Sequence, residues 1–206
     1  MLITTIIVIN KDPAMEPYHA IEQQFENINY TKEGLETGEY EACTFKNCDF
    51  SNGDFYNYRF VGTTFINCNW SNANIADTAF QEVTFVNCKM LGLQFEQCRT
   101  FGLSMNFEQC QLDHASFYQL NLQNSSFLAC SLKGVEFAEA NLSNIQLSNC
   151  NLLNANFEHT NLEKADLSQS SHYSIDPEKN LLKGASFSLK AVVGLLDKYN
   201  IKIDGL

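Results

Sequence analysis

Cysteine spacing is the feature of this chain that bears most directly on chemistry. The sequence holds eight cysteines. Zinc sites need thiolates that converge on the metal, often from a Cys-x2-Cys pair, and no such pair occurs here. We therefore interpret the thiols as small apolar filler and expect no metal site. Six of them form two series with a constant step of 20 residues, namely Cys48, Cys68 and Cys88, then Cys110, Cys130 and Cys150.

Histidines and motifs do not indicate catalysis. The sequence contains no G-x-S-x-G, no phosphate-binding loop and no H-E-x-x-H motif. No histidine has a partner at the spacing of a nucleophile or a metal ligand. We expect a protein that is not an enzyme and that uses no cofactor. The histidines are His19, His114, His159 and His172.

A bulky apolar residue recurs at every fifth position, and the residue two places before it is small or a thiol. Five is neither the helix period of about 3.6 nor the strand period of 2. One unit cannot bury its apolar residue alone, whereas stacked units can, so the pattern predicts a solenoid. The bulky series begins Tyr40, Phe45, Phe50, Phe55 and Phe60, and it resumes after an interruption at Phe107, Leu112, Phe117 and Leu122.

The stretches ANIAD, ANFEH, TNLEK and ADLSQ resemble the pentapeptide-repeat family, whose pattern is roughly A-[DN]-[LF]-x-x. The resemblance implies an all-β fold, a right-handed quadrilateral β-helix of about seven coils with about 20 residues in each coil. Six cysteines then form one inner column. Coils about 4.8 Å apart exceed the Cβ separation of about 3.8 Å in a disulfide, so we expect reduced thiols.

The repeat divides the chain into three regions. The first lacks a clean repeat, and its apolar stretch Leu2–Ile9 is too short to span a bilayer and lacks the basic flank of a signal peptide. We expect it to be a cap or an extension. The regions are residues 1–37, the β-helix at 38–170 and a C-terminal module at 171–206.

An insertion of two residues interrupts the β-helix. Cys88 and Cys110 are 22 residues apart, and the bulky series shifts by two within residues 97–106. We expect a local bulge in one coil. Family members that protect topoisomerases carry longer loops that touch the enzyme, so a partner contact here is the alternative. The bulge carries Arg99, Phe101 and Leu103.

Residues 188–199 have the apolar spacing of an amphipathic α-helix, with Ser186 or Ser188 as its N-cap, and Ile201–Ile203 predicts a short strand. This tail resembles the C-terminal module of the quinolone-resistance pentapeptide-repeat proteins. The resemblance implies a homodimer joined tip to tip; an intramolecular cap is the alternative. The interface residues expected are Leu189, Val192, Val193, Leu195, Leu196, Ile201 and Ile203.

The net charge of −11 belongs to the repeat region, because residues 22–170 hold 18 acidic and 7 basic residues. Sorting outward residues by the 20-residue coil predicts one acidic face without Lys or Arg. Nucleic-acid binding needs clustered basic residues, so we do not expect it. We call the six acidic residues of this face the acidic stripe: Asp54, Asp77, Glu96, Glu136, Glu139 and Glu158.

Two functions fit the acidic stripe. Some family members are proposed to imitate DNA, so the resemblance implies DNA gyrase or topoisomerase IV as a partner. Seven coils give a rod of about 34 Å, over which duplex DNA carries on the order of 20 phosphate charges, about twice the net charge of this chain. Alternatively, the charge only maintains solubility, and the protein is a scaffold for an unknown partner. Either way we expect a cytoplasmic protein without a membrane contact.

Overall fold

A computed structural model describes residues 18–203, which form a parallel β-solenoid of about seven coils with a short helical segment at its C-terminal end. One sheet has four strands: β1 (Tyr18–Ile21), β3 (Gly38–Glu41), β5 (Arg59–Val61) and β7 (Ala79–Gln81). The other has seven: β2 (Gln24–Glu26), β4 (Thr44–Lys46), β6 (Thr64–Ile66), β8 (Val83–Val86), β9 (Met105–Glu108), β10 (Ser126–Leu128) and β11 (Leu147–Ser148). The remaining faces are ladders of single parallel bridges.

The first coil begins at Tyr18, one coil before the predicted boundary at residue 38. Strand β1 pairs with β3, and a single helical turn, α1 (Tyr30–Glu33), forms the next corner. Inward residues of this coil keep the five-residue spacing. The residues two places before them do not have small side chains, however, so the repeat is hard to recognise in the sequence. The inward residues are Ala20, Phe25, Tyr30 and Leu35. The expected cap at Leu2–Ile9 lies outside the described residues.

The strand register locates the insertion. Phe65 pairs with Phe85 at a step of 20, whereas Phe85 pairs with Phe107 at a step of 22. Arg99 still forms a bridge with Ala79 at a step of 20. The two extra residues therefore lie after Arg99 and before β9, at the corner where the four-stranded sheet ends.

Stacked aromatic rings fill the interior. On the seven-stranded sheet, successive rings of Phe45, Phe65 and Phe85 lie parallel with centroids 5.1 Å apart. Rings from adjacent faces of one coil meet edge to face, as Phe45 and Phe50 do at 5.5 Å. Both arrangements are favourable for aromatic quadrupoles. The repeat thus builds a continuous hydrophobic column along the solenoid axis.

The cysteines are all buried and reduced. Each thiol of the six-membered column donates to backbone carbonyls, as Cys68 Sγ does to Phe45 O and Ile66 O, both at 3.4 Å. Burial raises the pKa of the Cys98 thiol, which lies on another face. These thiols therefore pack as small apolar side chains with a weak donor satisfied by the backbone.

The C-terminal segment is shaped differently from the prediction. Two 3₁₀ helices, Val192–Leu195 and Asp197–Tyr199, replace the expected α-helix, and Ile201–Ile203 is not a strand. Gly194 explains the first difference, because a Cβ at this position would lie 2.0 Å from Tyr173 O. The close approach lets Ile175 N donate to Gly194 O at 2.9 Å, which bends the segment onto the last coil.

The bridge ladder also extends beyond the predicted end at residue 170. Asn161 bridges to Leu181, and Asp166 bridges to Ser186. Within residues 18–203, no helix has both the length and the apolar character that crossing a bilayer requires.

Candidate protein-interaction surface

Three parallel columns of outward side chains make up the face that carries the acidic stripe. The first column follows bridges that include Asp54 to Asn74 and Glu136 to Asn156. The second column contains Glu96 and Glu158, and the third consists of corner residues such as Asp77 and Glu139, both with φ between 55° and 58°. The coil repeat places the six acids along one side of the solenoid, where one carboxylate oxygen of Glu96 is buried and has no hydrogen-bond partner among residues 18–203.

Amides from neighbouring coils hold the first column in place. Asn74 Nδ2 donates to Asp54 Oδ1 at 2.8 Å, and Asn156 Nδ2 donates to Glu136 Oε2 at 3.0 Å. Each carboxylate also accepts a backbone N–H two residues along the chain. These hydrogen bonds restrict the orientations of both carboxylates.

The corner column carries two stabilised carboxylates. Arg99 donates to both oxygens of Asp77, from Nε at 2.9 Å and from Nη2 at 3.0 Å, and this pairing lowers the pKa of Asp77. Gln119 Nε2 donates to Glu139 at 2.7 Å and Tyr118 Oη donates at 3.1 Å, and these bonds lower the pKa of Glu139. Both acids are therefore ionised at neutral pH.

The stripe is not free of basic residues, contrary to the prediction. Arg99 reaches Asp77 from the adjacent face, and Lys179 from the next coil bonds Glu158 at 2.8 Å and lowers its pKa. Within residues 18–203, no Lys or Arg pairs with the other four acids. The uncompensated charge therefore rests on Asp54, Glu96, Glu136 and Glu139.

The position of Lys179 on this face was not predicted, because the repeat becomes irregular after residue 170. The coil nevertheless continues, so Asp176 and Glu178 extend the same columns. Lys198 Nζ bonds these two acids at 2.7 and 2.6 Å. The twenty-residue step from Asn156 to Asp176 and from Glu158 to Glu178 was the available signal.

The insertion forms a compact bulge beside the acidic stripe. Phe101 is 86% exposed at its tip, whereas Leu103 is buried beneath it. Gln81 Nε2 donates to Phe101 O at 3.2 Å, and Gly102 adopts a φ of 71° above the Gln81 side chain. The Arg99–Asp77 ion pair ties the bulge to the stripe. An exposed aromatic side chain is thus held on an ordered loop.

The C-terminal end exposes a group of apolar side chains. Leu189, Ile201 and Ile203 are exposed, while Val192, Val193 and Leu196 are partly buried. Leu195 instead packs against the hydrophobic column of the solenoid. The structure therefore divides the predicted interface residues into an inner side that caps the solenoid and an outer side that faces solvent.

The structure is a parallel β-solenoid built from five-residue units. Each unit has one small and one bulky inward residue, and this arrangement defines a class of repeat protein. The family model described as a pentapeptide repeat region matches residues 39–117 and 103–176, which is more than half of the chain. The protein belongs to the pentapeptide-repeat family. No curated protein matches it in sequence.

Solved structures agree with this assignment. Two trypsin-treated variants of QnrB1, a plasmid-mediated fluoroquinolone resistance protein, each match with a TM-score of 0.59 at 18% identity. The first match covers 90% of this chain and 100% of that chain, and the second covers 89% and 99%. HetL, a pentapeptide-repeat protein involved in heterocyst differentiation regulation in the cyanobacterium Nostoc, has a TM-score of 0.36 at 15% identity over 84% and 86% of the chains. At these identities, the two QnrB1 matches establish the fold alone.

Proposed function

We propose that this protein is a non-enzymatic, cytoplasmic interaction module that binds a type II topoisomerase, DNA gyrase or topoisomerase IV, through the acidic stripe and the adjacent bulge. The observation that carries the proposal is the row of carboxylates along one face. Asp54, Glu136 and Glu139 are held by side chains of neighbouring coils and have no basic partner within residues 18–203. A surface of this kind favours a partner with a basic groove.

The charge density limits how closely the stripe imitates DNA. Duplex DNA carries one charge per about 1.7 Å, whereas the stripe offers six acids over six coils of about 4.8 Å each, and two of these acids are paired. Charge alone therefore supplies less attraction than a phosphate backbone does. Phe101 adds apolar contact area beside the stripe, and buried aromatic anchors dominate many protein interfaces.

Likeness to QnrB1 supports this choice of partner class. QnrB1 is described as a fluoroquinolone resistance protein, and fluoroquinolones act on type II topoisomerases. The fold match spans nearly the whole chain. The bulge of this chain has only two inserted residues, so the proposed contact relies on Phe101 and on the stripe rather than on a long loop.

A supercoiling assay with gyrase from the source organism tests the proposal, with and without a fluoroquinolone. We expect the wild-type protein to inhibit supercoiling or to protect the enzyme from the drug. The triple variant Asp54→Lys, Glu136→Lys and Glu139→Lys should lose the effect. A control with Glu22→Lys, Glu26→Lys and Glu108→Lys makes the same charge change at exposed acids away from the stripe and the bulge and should retain it.

Two results would reject this function. The first is no effect of the wild-type protein on gyrase or topoisomerase IV at tens of micromolar. The second is an equal loss of effect in the stripe variant and the control variant, because a general charge effect would then explain it. Either result favours the alternative, a scaffold with another protein partner, for which the acidic surface maintains solubility.

We also propose that two copies associate through the outer side of the C-terminal segment. Leu189 is 83% exposed and Ile201 is 56% exposed, and a second copy would bury both residues in a symmetric contact. A dimer would double the length of the acidic stripe but would leave its charge density unchanged.

A further inference from the structure

The N-terminal end of the four-stranded sheet brings a histidine and two glutamates together. Strands β1 and β3 pair His19 directly with Glu39, and Glu41 lies two residues along β3 on the same side. One ligand atom from each residue lies within 4.8 Å of the other two. Within residues 18–203, no other group of three potential metal ligands is this close.

The separation of His19 Nε2 and Glu41 Oε2 is informative. It is 3.4 Å, longer than the roughly 2.7–2.9 Å of a charge-assisted hydrogen bond. Two ligands bound tetrahedrally to zinc at about 2.0–2.2 Å lie about 3.4 Å apart. The spacing of the pair is therefore compatible with two ligands of one zinc ion.

A neighbouring residue orients the third ligand. Arg59 Nη1 donates to both oxygens of Glu39, at 3.0 and 2.9 Å, and Arg59 Nη2 donates to Gln81 Oε1 at 3.0 Å. Such outer hydrogen bonds fix the orientation of a ligating carboxylate. The guanidinium charge also opposes a bound cation, which limits the affinity of the site.

We propose that His19, Glu39 and Glu41 form a zinc site, with water as the fourth ligand, that clips the first coil to the second. An end coil of a solenoid has only one neighbouring coil, so its stability depends on a single interface. A metal ion shared by β1 and β3 adds a contact across that interface. An imidazole together with two carboxylates suits zinc better than calcium or magnesium, which prefer oxygen ligands.

Titration calorimetry with zinc chloride, on the full chain without a histidine tag, tests this site. We expect binding of one zinc ion per chain and slower hydrogen exchange at the amides of Tyr18–Ile21 when zinc is bound. The substitution His19→Ala should abolish binding, and Glu41→Gln should weaken it at least several-fold. The substitution Glu39→Gln should also weaken binding, because it removes the charge of the third ligand.

His114→Asn is the matched control, because His114 is also exposed but has no such pair of glutamates. The control should bind zinc as the wild-type protein does. Circular dichroism of each variant verifies the fold. Absence of heat at millimolar zinc, or equal losses in His19→Ala and His114→Asn, would overturn the site. Unchanged affinity in Glu39→Gln would overturn the role of Glu39 as a ligand.

Discussion

Asparagine at the corners of the coil combines two physical roles. Asn47, Asn67 and Asn87 adopt φ values of 52–53°, a left-handed conformation that asparagine tolerates better than most residues. Their side chains also form a ladder, in which each Nδ2 donates to the Oδ1 of the asparagine one coil earlier at 2.8–3.1 Å. Corner geometry and contact between coils therefore depend on the same residue.

Substitution at the middle of this ladder separates the two roles. Asn67→Val should lower the free energy of unfolding by about 1–3 kcal/mol, because a β-branched residue is strained at positive φ and both ladder bonds are lost. Asn67→Gly loses the same bonds without the strain and should cost less. Urea unfolding of both variants measures the difference. Equal losses would show that backbone strain contributes nothing at this corner.

The buried thiols lead to a second prediction at this scale. All eight thiols are buried, so a thiol reagent cannot reach them in the folded protein. Burial also raises the pKa of Cys43 and Cys98, which disfavours their reactive thiolate form. We expect none of the eight cysteines to react with a thiol reagent in the native protein at neutral pH, and all eight to react in denaturant. With an aromatic disulfide as the reagent, the absorbance of the released thiophenolate gives the number of reacted cysteines. Rapid labelling of the native protein would contradict the burial of the column.

Residue spacing alone predicts the thiol column and the side of the solenoid that each acid occupies, because both depend only on the coil length. It does not predict the pairing of Arg99 with Asp77. A long side chain that crosses from one face to the next depends on corner geometry and rotamer, which sequence spacing does not contain.

Among the elements, the C-terminal segment is held by charged contacts in addition to the packing of Leu195 on the solenoid. Lys198 bonds Asp176 and Glu178, and Tyr199 Oη donates to Glu178 at 3.2 Å. Lys198 lowers the pKa of both acids. Groups with lowered pKa stabilise the folded state at neutral pH, and this contribution is lost as the pH falls through their folded-state values, below the ordinary range for carboxyl groups.

We therefore expect Lys198→Ala to loosen this segment at neutral pH and to remove part of its sensitivity to acid. Hydrogen exchange at Val192–Tyr199, measured from neutral pH down to strongly acidic pH after correction for intrinsic rates, checks this. Lys190→Ala serves as the control, because Lys190 forms no ion pair among the described residues. Identical exchange in Lys198→Ala and in the wild-type protein would show that the ion pairs do not hold the segment.

The α-helix predicted over residues 188–199 was wrong for an identifiable reason. Apolar spacing placed Leu195 in the expected dimer interface, whereas it packs against the hydrophobic column of the solenoid. Spacing also does not reveal that Gly194 lies against the Tyr173 carbonyl. Glycine inside a helical pattern lowers helix stability. Here the absence of a side chain at Gly194 also allows the close contact with Tyr173. The presence of Gly194 within the helical spacing of residues 188–199 was the one sequence feature that argued against an α-helix.

For the whole molecule, the association of two copies is the testable property. Light scattering coupled to size-exclusion chromatography should give twice the chain mass for the wild-type protein. The double variant Leu189→Asp and Ile201→Asp should elute as a monomer, because two buried carboxylates oppose the contact. Leu128→Asp alters an exposed leucine on a strand of the seven-stranded sheet and should leave the dimer intact. A monomeric wild-type protein would reject the proposed contact.

The solenoid as a whole was predictable, because every coil has the same sequence of inward and outward positions. Its ends were less predictable. The first coil retains Phe25 and Tyr30 at inward positions but lacks the small residues, and the last coils lose the consensus after residue 170 while the bridges continue to Ser186. End coils have one neighbour instead of two, so fewer contacts constrain their sequence.

The single tryptophan gives the stacked interior an optical consequence. Trp70 is fully buried and lies parallel to the Phe50 ring at 4.2 Å, so its emission should be blue-shifted in the native protein. Because solenoids can open from either end, this signal reports the N-terminal half, where Trp70 is located. Fraying that begins near Tyr199 would be silent in tryptophan fluorescence but visible in circular dichroism, so a mismatch between the two melting curves would identify the end that opens first.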